Sequence, residues 1–238
     1  MALGQQENPA RWSISISSGL ALPAGGFANI APERTAKLEP DGSGPYFSGF
    51  TRDGSSAAKT GLSFSATIDY RLNRSFKIVA SFGRTTNPVN TQPITDFLLR
   101  NLLYRTNLVA SDYELLQGCI GVDYHYQIGR FSVEAGPRFG LSTLSFPEYT
   151  LYALDIPSIT KRPYGNKPTS NSTVVDANMN VNYAIGRKVL IGLQGTFLHA
   201  GFDYTIDLRW PGQSTYEIYY DKITYRVVSL SLNIGYRF

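Results

Sequence analysis

The chain has 238 residues, a formal net charge of +4 and 17% charged residues, fewer than the roughly 25% usual for soluble domains. Its 16 Tyr, 13 Phe and 22 Gly beside two Met and one Cys suit a single all-β unit, and the lone Cys119 excludes an internal disulfide. No run of about 18 apolar residues occurs, which excludes a transmembrane helix but not strands that cross a bilayer, because such strands are apolar only at every second position.

Residues 1–10 read as a mature N-terminal tail or a cloning remnant, with Gln5 a plausible first residue after a leader, and 11–238 as one barrel domain. The first alternating segment sets Trp12, Ile14, Ile16 and Leu20 against Ser13, Ser15 and Ser17. The second sets Leu62, Phe64, Ala66, Ile68 and Tyr70 against Ser63, Ser65, Thr67, Asp69 and Arg71. A third follows, with Phe76, Ile78, Ala80 and Phe82 opposite Lys77, Val79 and Ser81. The fourth has Ile120, Val122, Tyr124 and Tyr126 opposite Cys119, Gly121, Asp123 and His125. The fifth opposes Phe131, Val133, Ala135, Phe139 and Leu141 to Ser132, Glu134, Gly136, Arg138 and Gly140. In it, Pro137 cannot donate to a ladder and predicts a local bulge. The sixth opposes Val175, Ala177, Met179, Val181 and Tyr183 to Asp176, Asn178, Asn180 and Asn182. The seventh opposes Val189, Ile191, Leu193 and Phe197 to Lys188, Gly192, Gln194 and Thr196. The last ends on Leu230, Leu232, Ile234, Tyr236 and Phe238.

This period-2 pattern is that of strands with two chemically different faces. The second face mixes Gly, Ser and Asn with both charge signs, which suits a narrow barrel interior better than a solvent face. The fold expected is therefore all-β, an eight-stranded antiparallel up-and-down transmembrane β-barrel with short periplasmic turns and long extracellular loops. Asp69, Asp123, Glu134 and Asp176 are expected to pair inside it with Arg71, Lys77, Arg138, Lys188 and Arg237. Short turns fall at 73–75, 128–129 and 186–187, and long connections at 23–59, 85–111, 145–172 and 199–220. The even strand number puts both termini in the periplasm. Trp12, Tyr70, Phe76, Tyr124, Tyr126, Phe131, Tyr183, Tyr236 and Phe238 gather near the short turns, and Phe64, Phe82, Phe139 and Phe197 near the long loops. Two aromatic girdles around an aliphatic band are expected of a membrane barrel and not of a soluble sandwich.

Two loop features stand out. Residues 94–104 read as a short amphipathic helix after Pro93, either capping the mouth, lying at the interface or packing under its own loop. Residues 203–210 and 215–225 flank Pro211-Gly212-Gln213 and are rich in Tyr, Thr and Ile, so the last two strands should extend as a hairpin beyond the membrane.

The chain resembles the outer-membrane β-barrel family common in Bacteroidota, of the small OmpA-like or OmpX-like type. The residues that carry the resemblance are Gly19-Leu20-Ala21-Leu22-Pro23-Ala24-Gly25-Gly26-Phe27, Thr60-Gly61-Leu62-Ser63-Phe64 and the terminal Tyr236-Arg237-Phe238. The resemblance implies a fold and an outer-membrane location, porin-like in architecture, and no common activity. It also implies that Tyr236 and Phe238 form the signal read by the barrel assembly machinery.

No catalytic or metal-ligating set emerges, and no cofactor is expected. Of the two His, His125 reads as an interior hydrogen-bonded group and His199 as a rim residue near Asp203, followed by Ala200 and Gly201 where a lipid A deacylase would place its Ser. Asp176, Asn178, Asn180 and Asn182 sit about 7 Å apart in successive pairs along one strand, too spread to converge on one ion. Trp210, Tyr216, Tyr219, Tyr220 and Tyr225 on the extended hairpin form a candidate partner surface, since Tyr and Trp dominate binding hot spots; cross-strand pairing alone would equally explain them. The expected role is structural, binding or accessory, with a narrow channel or small-molecule conduit as the alternative and a lipid-modifying enzyme behind both. Expected partners are outer-membrane lipid and lipopolysaccharide, the assembly machinery, and other outer-membrane proteins or lipoproteins. The pI of about 9.1 comes from scattered rather than clustered basic residues, which argues against nucleic acid.

Overall fold

A computed structural model describes residues 11–41, 44–50, 56–102, 105–153, 162–164, 168–208 and 217–238. Eight antiparallel strands close into a barrel: β1 (Trp12–Pro23), β4 (Gly61–Arg71), β5 (Phe76–Asn87), β7 (Tyr113–Ile128), β8 (Phe131–Ser145), β11 (Thr169–Ile185), β12 (Val189–Leu208) and β13 (Glu217–Arg237), with β13 pairing back on β1. These are the eight segments marked by alternation. The long connections carry the other described strands. β2 (Ala36–Asp41) and β3 (Gly44–Phe50) form a hairpin. β6 (Thr106–Ala110), β9 (Tyr149–Ala153) and β10 (Arg162–Tyr164) form a three-stranded sheet that ties two different loops together. Two helices, α1 (Pro32–Thr35) and α2 (Thr91–Asn101), lie in the first two long connections.

The short turns have local causes. Asn73 Oδ1 accepts from the Ser75 and Phe76 amides at 2.8 and 2.9 Å, an Asx turn. Gly129 and Gly186 take φ of 60° and 66°, where a side chain would strain the other two turns.

Pro137 does not make a bulge. Its strand keeps unbroken register with β11, Ala177 facing Pro137. On the β7 side the ladder lapses between Gly121↔Arg138 and Tyr124↔Ala135, with the same register above and below. The missing N–H therefore removes pairing locally without adding a residue to either strand.

Side-chain direction follows the alternation. Ile120, Leu141, Leu193 and Leu232 point outward and are 69%, 72%, 64% and 68% exposed, whereas Arg138, Lys77 and Asp123 point inward and are at most 2% exposed. Burial is thus inverted relative to a soluble protein. The short-turn rim carries paired aromatics: Trp12 with Tyr70, Phe76 with Tyr124 and Phe131 with Tyr183, ring centroids 4.7, 5.7 and 5.0 Å apart. Phe64, Phe82, Phe139 and Phe197, all outward and exposed, mark the other edge of the aliphatic belt. An apolar belt between aromatic rows suits a barrel solvated by hydrocarbon.

β12 and β13 stay paired from Val189↔Tyr236 to Leu208↔Glu217. At 20 and 21 residues they are about twice the 9–11 needed to span a bilayer. β11 leaves β12 at Ala200 and β1 leaves β13 at Val227, so the remainder forms the two-stranded arm anticipated from the sequence.

Candidate functional site: a filled lumen and an outer arm

The lumen changes chemistry along its axis. Toward the short turns it is charged. Lys77 Nζ on β5 donates to Glu134 Oε1 on β8 at 2.6 Å and lies 3.0 Å from Asp69 Oδ1 on β4. Ser13 Oγ on β1 donates to the same Asp69 oxygen at 2.7 Å. His125 Nδ1 lies 3.0 Å from Glu134 Oε1 and its Nε2 lies 3.2 Å from an Arg71 guanidinium nitrogen. A carboxylate only accepts and a guanidinium only donates, so the ring donates through Nδ1 and accepts through Nε2. One level up, Arg138 donates to Asp123 Oδ2 at 2.8 Å, both side chains 1% exposed, with Asp176 within electrostatic reach of both. Arg237 is half-buried at the rim, within reach of Asp69, Glu134 and Arg71.

Above this network the lumen is lined by short polar groups. Gln194 donates to Asn178 at 2.8 Å, and Ser17 and Ser65 share a bond of 2.6 Å, while Asn233 donates to Asn182 at 3.1 Å lower down, beside the ion pairs. Among the described residues the lumen keeps internal cavities of about 10 and 20 Å³. Each has room for about one water. Ser81, Gln117 and Asp176 aim polar atoms without a protein partner at the upper cavity, and Asp123, Asn180 and Asn233 do so at the lower. A larger hollow of about 460 Å³ opens on the outer wall around Gly195, between Met179 and Leu230.

At the long-loop end the inward face turns apolar. Leu115, Leu144, Leu198, Phe202 and Val227 are buried there with Phe27, Phe146 and the α2 residues Ile94 and Leu98. Phe27 packs on Tyr113 and Tyr225, ring centroids 5.1 and 4.4 Å away. Asn87 is fully buried in this cap. It donates to the Ala21 and Lys59 carbonyls at 3.1 and 2.9 Å and accepts the Tyr225 hydroxyl at 3.1 Å. The Tyr113 hydroxyl donates to the Ser56 carbonyl at 3.1 Å. α2 thus packs under its own loop, starting two residues before Pro93, with β6 against it.

The sequence-derived sites divide as follows. Asp69, Lys77, Asp123, Glu134, Arg138 and Asp176 form the buried network, with Arg71 at its rim. Lys188 does not belong to it: β12 begins at Val189, so Lys188 is an exposed turn residue whose ammonium lies 5.7 Å above the Tyr236 ring. Tyr225 is not a partner surface: at 1% exposure it faces inward, packed on Phe27 and Phe202. Trp210 and Tyr216 lie outside the described residues, and only the backbone of Tyr219 and Tyr220 is described, paired with Ile206 and Thr205. Tyr236 and Phe238 are exposed on the outer wall at the short-turn end, rings 6.4 Å apart. His199 accepts from Arg226 Nε at 3.3 Å, so its ring is engaged by a cation. The apolar cap was missed because its inward residues keep the parity of the polar lumen while reversing its chemistry; the Leu115, Leu144 and Leu198 positions were the available signal.

No protein-family model matches the chain, and neither does any curated protein. Among solved structures it is similar to Neisserial surface protein A, with 12% identity and a TM-score of 0.49 over 98% of this chain and 100% of that one. It is similar to the outer membrane protein OprG from Pseudomonas aeruginosa, with 12% identity and a TM-score of 0.48 over 97% and 98%. It is also similar to Ail, the attachment invasion locus protein of Yersinia pestis, with 12% identity and a TM-score of 0.41 over 97% and 100%. The likeness is one of architecture, and the case for a membrane comes from the barrel's own surface.

Proposed function

We propose that the chain is an integral protein of a bacterial outer membrane, with short turns and both termini in the periplasm, that neither conducts nor catalyses and instead holds an ordered cap and arm outside the bilayer to engage a partner macromolecule. The observation that carries this reading is the filled lumen: ion pairs at one end, hydrogen-bonded Asn, Gln and Ser in the middle, and an apolar core at the other. A narrow conduit would need a continuous polar path, and the cap around Phe27, Tyr113 and Tyr225 argues against one. The small OmpX-like type fits the strand count, while the Bacteroidota origin rests on the opening motif from Gly19 to Phe27.

Within this reading the arm is the partner surface, through Trp210, Tyr216, Tyr219 and Tyr220, and Tyr236 with Phe238 serves assembly. The test is mild-detergent extraction from native outer membrane followed by sizing and mass spectrometry. A discrete complex weakened by Trp210→Ala or Tyr219→Ala, and unchanged by His199→Ala, is expected. A lone barrel, or a complex indifferent to the arm, contradicts the binding role. Loss of a lipid or peptide turnover in His199→Ala would make the chain an enzyme instead.

A further inference from the structure

The two ends of the barrel differ in charge. At the long-loop end exposed residues of both signs mix, Glu33, Asp112 and Glu148 with Arg34, Lys59 and Arg100 among them. At the short-turn end the described residues expose Arg11, Arg74, Arg130, Arg187 and Lys188, with Arg71 and Arg237 half-buried, and no Asp or Glu side chain is exposed there. Among the described residues the nearest Asp and Glu side chains, Asp69, Asp123 and Glu134, are buried inside the lumen and paired.

Three of these cations are placed by the aromatic girdle. Arg11 Nη1 donates to the Tyr70 hydroxyl at 3.3 Å, Arg130 Nη1 donates to the Tyr183 hydroxyl at 3.4 Å, and the Lys188 ammonium sits over the Tyr236 ring. Girdle tyrosines lie at head-group depth in a bilayer. Each arginine uses one N–H on its tyrosine and keeps the others of its fork for a further acceptor.

The geometry points to a ring that binds the phosphates of anionic phospholipids in the leaflet facing the short turns. Phosphate is the acceptor that a fork held at that depth meets, and it is the group that Arg engages bidentately. Among the described residues no exposed Asp or Glu side chain offsets the ring's charge at this end. The inference rests on the reading of the chain as an outer-membrane barrel with periplasmic short turns, and it names the lipid class that this rim selects.

The test uses the refolded full chain in vesicles of equal parts phosphatidylcholine and phosphatidylglycerol, followed by detergent extraction and lipid mass spectrometry of the protein fraction. Phosphatidylglycerol should be retained over phosphatidylcholine by about fivefold for each cation engaged, and the preference should collapse as salt rises. The combined variant Arg11→Gln, Arg74→Gln, Arg130→Gln, Arg187→Gln, Lys188→Gln should lose it while keeping the heat-modifiable mobility of a folded barrel. If that variant fails to fold, Arg130→Gln alone should lower the preference, and the salt titration of the unaltered protein stands by itself. Equal retention of both lipids, or a preference that survives in the variants, overturns the proposal. Accessibility of Ser75→Cys to an impermeant thiol reagent on intact cells reports orientation separately, so a wrong topology is distinguishable from an absent lipid site.

Discussion

Lys77 Nζ spans two strands to reach Glu134 Oε1 at 2.6 Å, with β7 lying between their strands, and the same ammonium holds Asp69 at 3.0 Å. One cation thus joins β4, β5 and β8 across the lumen. Removing it leaves two carboxylates buried with reduced compensation, and breaking one partner of such a group costs about 3–5 kcal/mol. Lys77→Met should lower the unfolding free energy in urea by about 3 kcal/mol, and adding Glu134→Gln should restore part of the loss. A Lys77→Met protein as stable as the original would mean that the network contributes nothing.

Two neighbouring glycines separate wall from lumen. A Cβ at Gly140 would collide with the Gly118 carbonyl and the Cys119 Cα, whereas one at Gly118 meets nothing within 4 Å. Gly140→Val should block barrel formation and Gly118→Val should change stability by less than about 0.5 kcal/mol. Heat-modifiable electrophoretic mobility of the refolded variants reads the difference directly, and equal behaviour would contradict the register of β7 on β8.

Leu232 is 68% exposed and stands midway between Tyr236 and Val228, the partner of Phe197. If this wall faces hydrocarbon, Leu232→Arg should cost about 2–4 kcal/mol in lipid vesicles. An unchanged midpoint would place the position in water.

Asn87 anchors the cap through three hydrogen bonds from a fully buried amide. Asn87→Ala should cost about 1–3 kcal/mol locally. The amides of 56–59 should then exchange faster with solvent while the β7–β8 ladder stays protected. Uniform acceleration of both regions would make cap and barrel one cooperative unit.

The barrel was legible because every membrane strand alternates in chemistry as well as in direction, so the parity of Ser13, Asp69 and Asp123 against Ile14, Ile68 and Val122 defines both faces. The arm was legible from the aromatic and β-branched run on both sides of Pro211. Legibility ends where parity and chemistry part. Lys188 has lumen parity but belongs to a turn, because Gly186 takes φ 66° and the strand begins one residue later. Tyr225 reads as a surface aromatic on a long hairpin, yet Phe27, from a loop nearly two hundred residues earlier, covers it. Which carboxylate each lumen cation chooses depends on distance across the barrel, a relation between β5 and β8 that no local pattern carries.

The closed lumen is tested most directly by planar-bilayer conductance of the refolded, full-length protein. The filled interior gives no unitary current steps above those of the bare bilayer at any salt concentration. Reproducible steps, persisting in protein whose heat-modifiable mobility shows a folded barrel, would contradict a sealed barrel and make the chain a channel.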